Sequence, residues 1–271
     1  MSYDFSDNVF VSAYDGCPFW SSQFGLTIMN KIDFKESAVV LDVGTGTGFP
    51  AIEIAERMGN EATVYAIDIW DAGLKRAETK AEELGIENIV FKNASVLSLP
   101  FDEEFFDLII SNNCLNNIPE YDKALRECYR VLKREGVLIQ TFNLPDTFKE
   151  FYDIFRDLLL EKNMLREIEA LNNHIFDKRK NTVFTLDAAE KTGFKIMNAS
   201  EYSFLWRFYN GTSLLNHSFV KMAWLSEWQC IIDISLRETF FSDLEYKLNA
   251  YANENHGLSL TIPYSCVTIA K

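Results

Sequence analysis

Paired cysteines and positive charge are both scarce in this 271-residue chain. The five cysteines, Cys17, Cys114, Cys128, Cys230 and Cys266, are odd in number, widely scattered and without a CxxC pair. That pattern argues against a disulfide framework or a zinc knuckle, and no metal site is expected. Lys and Arg total 26 against 40 Asp and Glu, a formal net charge of -14. Such a field repels phosphate backbones, and no Lys/Arg stripe interrupts it, so no nucleic-acid partner is expected. No apolar run approaches the roughly 18 residues of a membrane span, and Met1 to Asp7 lack a basic segment leading into an apolar one. The expectation is a reduced, cytoplasmic protein with no membrane partner. Internal repeats, low-complexity tracts and Pro/Gly/Ser-rich linkers are also missing, which favours one domain with decorations over two independent ones.

What is present is an ordinary globular share of hydrophobic residues, 48%, and an excess of aromatics, with 22 Phe. Apolar periodicity divides the first half into alternating strands and helices: strand 38–43, helix 49–58, strand 63–69, helix 71–84, strand 89–93, strand 106–111, helix 122–133 and strand 137–142. That order implies a doubly wound, Rossmann-like α/β fold, a mostly parallel seven-stranded sheet with helices on both faces. The alternation then breaks at a long helical pattern, 147–170, followed by a polar stretch, 172–182. Together they read as a helical cap. Beyond it come a short helix 186–192, a strand 194–199, a mostly helical insertion 213–249 and a final strand 258–270. The expected division of the single domain is an N-terminal lid 1–36, a core 37–143, a cap 144–182 and a C-terminal part 183–271.

The most informative segment is Val40 to Gly48, VLDVGTGTG. Glycines this dense between a strand and a helix let a ligand approach the backbone. A dinucleotide fingerprint needs its third glycine three positions after Gly46, where Phe49 stands, so the spacing argues against NAD or FAD. Asp42 would repel a pyrophosphate but suits an ammonium group, reached directly or through water. Asp68, at the end of the second strand and about 20 residues beyond the loop, is placed to accept both hydroxyls of a ribose.

On these residues the chain resembles the class I S-adenosylmethionine-dependent methyltransferases of small-molecule type, from about Val11 to Phe142 and more loosely to the end. The resemblance implies S-adenosyl-L-methionine as cofactor, held by Asp42, Gly44, Thr45, Gly46, Asp68 and Ile69. Asn93 to Phe101 is similar to the family loop that holds adenine, with Ser95 where the family often has Asp, and the Val96 amide beside it. Phe106 to Ile118 looks like the fourth strand and the loop beneath the methionine end, which nominates Asn112 and Asn117. Members often carry histidine near Asn116 or Asn117, and its absence removes a ready general base. In the lid, Tyr14 is expected at the methionine carboxylate, and Trp20 at the sulfonium or the acceptor.

Methyl transfer from a sulfonium is an in-line displacement with a neutral leaving group, so alignment and desolvation can carry most of the catalysis. No catalytic residue is assigned. His174 and His217 are candidate bases for acceptors that need one, and His256 reads as a turn residue. The acceptor pocket is expected to draw on Trp20, Asn143, Trp206 and His217, with Phe208, Tyr209, Trp224 and Trp228 nearby. A small molecule is the expected acceptor and a homodimer the one association allowed for. The missing Asn/Asp-Pro-Pro-aromatic motif argues against DNA methylation, and no cysteine trio suggests arsenic. The competing reading is a non-catalytic cofactor-binding or interaction protein on the same fold.

Overall fold

A computed structural model describes residues 6–35 and 37–271 of the chain. Of the expected lid, residues 1–5 and 36 therefore lie outside the described residues. In chain order the elements are α1 (Asn8–Asp15), α2 (Phe19–Met29), β1 (Val39–Val43), α3 (Ala51–Met58), β2 (Thr63–Asp68), α4 (Asp71–Leu84), β3 (Ile89–Asn93), β4 (Phe106–Asn112), a short 3-10 turn (Leu115–Asn117), α5 (Tyr121–Val131) and β5 (Leu132–Asn143). Then follow α6 (Lys149–Glu161), α7 (Leu165–Lys178), α8 (Thr182–Thr192), β6 (Lys195–Phe208), α9 (Gly211–Asn216), α10 (Ser218–Val220), a π turn (Lys221–Leu225), α11 (Ser226–Cys230), α12 (Arg237–Glu254) and β7 (Leu258–Ala270).

The seven strands form one sheet in the order β3-β2-β1-β4-β5-β7-β6. Strands β1 to β5 pair in parallel, and β7 runs antiparallel to β5, from Val137↔Ala270 to Asn143↔Tyr264. Alternation along the strands sends Val40, Val64, Ala66, Leu108 and Ile110 to one face, where Ile28 and Met29 of α2 and Ile54 and Ala55 of α3 cover them. The intervening Leu41, Ile67 and Ile109, all buried, point to the other face. This is the doubly wound architecture expected from the strand and helix order.

The chain divides into two compact units. One comprises the described residues up to Asn143, with Lys180–Tyr202 and Tyr264–Lys271; the other comprises Leu144–Arg179 and Ser203–Pro263. Most of the expected cap and all of the late helical insertion thus share the second unit. Its core is aromatic: Phe151, Phe155, Trp228 and Phe240 are buried, and Trp228 stacks on Phe151 with centroids 4.2 Å apart. Among the described residues no helix is long and apolar enough to cross a membrane.

Several boundaries differ from the periodicity reading. The single helix expected over 147–170 is two, because Asn163 takes left-handed backbone, φ 55, between α6 and α7. The polar stretch expected over 172–182 is helical as far as Lys178. The turn expected at Glu135-Gly136 is an irregularity inside β5, where the register with β4 shifts and Glu135 has φ 65, so the strand begins at Leu132. Helix α8 starts at Thr182 rather than 186, since the Asn181 side chain accepts the Phe184 amide and caps it. Strand β6 extends to Phe208, well beyond 199, and lies at the sheet edge with mostly exposed side chains.

The rings of Tyr65, Phe101, Phe105 and Phe106 meet edge-on or stacked between 4.9 and 5.8 Å and anchor β2 and β4. Phe106 is fully buried. Phe106→Ala is expected to cost about 3–5 kcal/mol, read as a lower urea midpoint; a midpoint within error of the parent protein would contradict this packing.

Candidate functional site

Two neighbouring strands send the chain in opposite directions. After β1 it turns toward β2, after β4 toward β5, and β1 pairs with β4 through Asp42↔Ile110. In open α/β sheets such a switch point, at the carboxyl ends of the strands, is where ligands gather. The loop following β1 occupies it. Gly44 and Gly46 take left-handed backbone, φ 78 and 56. A Cβ on Gly44 would stand 2.1 Å from Cys114 Sγ, so only glycine fits where this loop meets the one after β4. A Cβ on Gly46 would meet nothing within 4 Å, which leaves the backbone there open to close approach.

The amides of Gly44 and Thr45 both donate to the Ile67 carbonyl, at 2.9 and 3.0 Å. One residue further, Asp68 takes over: its Oδ2 accepts the Gly46 amide at 2.8 Å and its Oδ1 the Trp70 amide at 2.9 Å. Each oxygen keeps a second lone pair, so the carboxylate that shapes the loop can still accept ligand hydroxyls.

Asp42 is the anomaly. It is completely buried, and among the described residues neither carboxylate oxygen has a partner at ordinary hydrogen-bond geometry, although the Thr45 hydroxyl and the Ala51 amide lie close enough to act on it. Burial pushes its pKa up to about 7; the Thr45 hydroxyl and the Ala51 amide oppose the rise and the charge on Asp68 adds to it. The neighbouring Thr45 hydroxyl oxygen is likewise buried, with no partner at ordinary hydrogen-bond geometry among the described residues. A carboxylate in that state calls for a proton or a cation, which an ammonium-bearing ligand supplies. This is the observation on which the fit to an amino-acid-bearing nucleoside rests.

The N-terminal helices close on the same region. Asp7 caps α1 by accepting the Val9 amide at 2.9 Å. At the other end Asp15 accepts from Arg76 at 2.8 Å and Lys80 at 2.5 Å, which fastens α1 to α4. Burial alone would raise the Asp15 pKa, but these two cations outweigh it and hold the carboxyl below its ordinary value. Tyr14 meets Trp70 edge-on at 5.2 Å. Its phenol pKa is raised, first by burial and then by Asp68 and Cys114.

Beyond Asp68, Ile69 is 71% exposed, an apolar side chain suited to a flat ligand face. The loop after β3 is tied back by the Ala94 amide donating to the Asp68 carbonyl at 3.0 Å. There Val96 is buried, and Ser95 Oγ accepts the Leu97 amide at 3.2 Å, so the hydroxyl shapes its own turn. Asn112 is a tether: its Nδ2 donates to the Ser21 carbonyl of α2 at 3.1 Å and its Oδ1 accepts from Thr141 at 3.3 Å. Asn117 is exposed and donates to the Asn113 carbonyl at 3.0 Å. Trp20 is buried against Phe24, centroids 5.4 Å apart, a packing arrangement. Asn143 ends β5 opposite Tyr264.

In the second unit Trp206 and His217 meet edge-on at 5.4 Å, and Trp206 also contacts Phe208, Trp224 and Phe148. Burial lowers the pKa of His217 and also of His174. His256 has left-handed backbone, φ 56, as suits a turn. Sequence reasoning missed Trp70 and Cys114 as walls of the site; the only sequence signal was their position just past the ends of β2 and β4. Among the described residues no group of three or more His, Cys, Asp or Glu is placed to hold a metal.

The Asp42 pKa has a sign that can be checked. It is raised above the unfolded value, so its stabilising share is full at low pH and is lost as pH rises toward and through about 7. Between pH 5 and 8 the ligand-free protein should lose roughly 2–3 kcal/mol from this group. Urea unfolding of Asp42→Asn beside the parent protein measures it: the parent's decline should be shallower in the variant, and parallel pH profiles would contradict the assignment.

Comparison with known proteins agrees with this geometry. Residues 34–197, more than half of the chain, match a family model described as a methyltransferase domain. The ubiquinone/menaquinone biosynthesis C-methyltransferase UbiE of Idiomarina loihiensis is 39% identical over 127 residues, 45% of this chain and 51% of that protein. The demethylmenaquinone methyltransferase of Geobacillus stearothermophilus is 31% identical over 112 residues, 41% of this chain and 48% of that protein. The chain thus spans about half the length of the curated relatives it matches. Among solved structures, the YcgJ protein of Bacillus subtilis superposes with a TM-score of 0.63 at 16% identity, covering 92% of this chain and 98% of that one, a likeness of fold. The glycine loop, the sheet order and the family match together place the chain among the class I S-adenosylmethionine-dependent methyltransferases.

Proposed function

We propose that this chain binds S-adenosylmethionine through the β1 and β2 loops and transfers its methyl group to a small-molecule acceptor. The observation that carries the reading is Asp42, a wholly buried carboxylate without a partner at ordinary hydrogen-bond geometry among the described residues, beside a glycine loop whose backbone is open at Gly46. Asp42 would hold the ammonium of the methionine moiety, directly or through a water, and Asp68 the ribose hydroxyls. Ile69, Ser95 and Val96 would border the adenine. Tyr14, in the helix fastened by Asp15, would close over the methionine end.

When bound, the cofactor supplies a methyl group on a cationic sulfur that departs as a neutral thioether. The residues of this chain then have two tasks, alignment and exclusion of water, and the buried Asp42 and Thr45 with the half-buried Tyr14 suit both. No side chain is assigned proton transfer. The named relatives act in quinone biosynthesis, which supports a small, apolar acceptor, as does the ring cluster around Trp206. The acidic balance of the chain and its free cysteines fit a cytoplasmic enzyme with no nucleic-acid partner.

Calorimetric titration with S-adenosylmethionine and S-adenosylhomocysteine, with NADH as control, tests the reading. Binding in the micromolar range is expected, weakened at least about tenfold by Asp68→Ala, which removes both the loop clamp and the ribose acceptor. Absence of binding to either nucleoside, or equal binding of NADH, would overturn it.

A further inference from the structure

The second unit has a cavity of its own, about 560 Å³ in volume, with every lining residue between Leu215 and Glu245. That size suits a small organic ligand. One wall is α12, where Arg237, Glu238, Phe241, Ser242 and Glu245 recur at helical spacing beside the buried stripe of Phe240, Leu244 and Leu248. Another is α9, pinned to α12 where Asn249 accepts the Thr212 amide at 3.1 Å and Glu245 accepts the Thr212 hydroxyl. A Cβ on Gly211 would stand 2.3 Å from Leu248 Cβ, so only glycine lets the two helices approach this closely. The π turn adds Lys221 and Leu225 to the lining. Such turns interrupt regular helical hydrogen bonding and recur at functional sites.

Two cations and two carboxylates line this cavity, and among the described residues none of the four forms an ion pair. The ion pairs of α12 lie on another of its faces, from Asp243 to Lys162 and from Lys247 to Glu161. Lys221 Nζ donates to the neutral Asn216 Oδ1 at 2.9 Å, and Arg237 Nη2 donates to the Ile232 carbonyl at 3.2 Å. Among the described residues neither Arg237 Nη1 nor its Nε, which is shielded from solvent, has an acceptor. The Arg237 charge reaches Asp233, whose carboxyl is held below its ordinary value first by Ser235 and last by Arg237, but that aspartate is exposed. A cation in the first turn of α12 also opposes the helix dipole, so the fold gains little from placing one there. Glu238 is exposed, and Glu245 is half-buried with one oxygen engaged by Thr212. The rest of the lining is largely apolar: Leu215, Leu225, Ile234 and Phe241, of which Ile234 is 80% exposed.

We propose that this cavity binds a free apolar α-amino acid as its zwitterion, with the carboxylate on Arg237, the ammonium on Glu238 and the side chain against Leu225, Ile234 and Phe241. The guanidinium fork matches a carboxylate bidentately. Consecutive residues at the start of α12 carry opposite charges side by side, as an α-amino acid does on its own two groups. A plain anion would face Glu238 and Glu245 unmatched, and a plain cation would face Lys221 and Arg237, so the lining discriminates against both. The site lies wholly within the second unit and does not rest on the methyl-transfer reading.

The test is calorimetric titration of the full chain with L-phenylalanine, with 3-phenylpropionate and 2-phenylethylamine, which lack one charge each, and with glycine, which lacks the apolar body. L-Phenylalanine should bind at least about tenfold more tightly than any of the three. Arg237→Gln should erase the preference over phenylethylamine and Glu238→Gln the preference over phenylpropionate, both with S-adenosylmethionine affinity unchanged. Phenylpropionate or phenylethylamine binding the parent protein as tightly as phenylalanine would overturn the proposal even if the variants fail to fold, and equal binding of glycine would overturn the apolar part. Saturating S-adenosylhomocysteine should leave the phenylalanine affinity unchanged; competition would assign the binding to the Asp42 site and overturn the proposal. Phenylalanine preference without S-adenosylmethionine binding would sink the methyl-transfer reading while this site stands; the reverse result would sink this site alone.

Discussion

One carboxylate holds two loops in register. Asp68 takes the Gly46 amide on one oxygen and the Trp70 amide on the other, so the glycine loop after β1 and the turn after β2 become a single shaped surface. The rest of the site follows from that clamp. With the loop fixed, Gly44 presses against Cys114 and brings in the segment after β4. With the turn fixed, Trp70 presents an edge partner to Tyr14 and to Phe10, at 5.2 and 6.1 Å, and α1 acquires a place to pack. Asp42 lies wholly buried beside this surface, and its proposed role is to receive the positive charge of the ligand. An exposed aspartate would be satisfied by water and would discriminate little.

The second unit solves a different problem with similar means. Its core of stacked and edge-on rings is apolar enough to bury Tyr152 and Trp228, yet it also buries an arginine. A buried ion without a partner costs several kcal/mol in a real protein interior.

Much of the first unit was legible in the sequence. Strand and helix alternation specified the parallel sheet, and the spacing of Gly44, Gly46 and Gly48 with Asp42 and Asp68 located the loop and the nature of its ligand. Side-chain roles were less legible, because they depend on partners distant in sequence. Asn112 resembles a cofactor contact in its motif, yet its amide bridges Ser21 and Thr141. The Ser95 hydroxyl is engaged by the Leu97 amide. Periodicity carried through the break at Asn163, since a single left-handed residue does not disturb the apolar spacing on either side. It failed for β6, whose exposed edge position removes the alternation that marks a half-buried strand. The burial of Arg179 had no sequence signal, as a basic run such as Lys178-Arg179-Lys180 is ordinarily solvated.

Asp42 is the group proposed to receive the positive charge of the cofactor, so its charge state should change on binding. Titrating S-adenosylmethionine at pH 7 in buffers of different ionisation enthalpy measures protons released on binding. A cation drawn to a carboxylate whose pKa is about 7 should expel about half a proton, and Asp42→Asn should abolish that release. Binding with the same proton count in the parent and the variant would contradict the assignment of Asp42 as the group that receives the cofactor's positive charge.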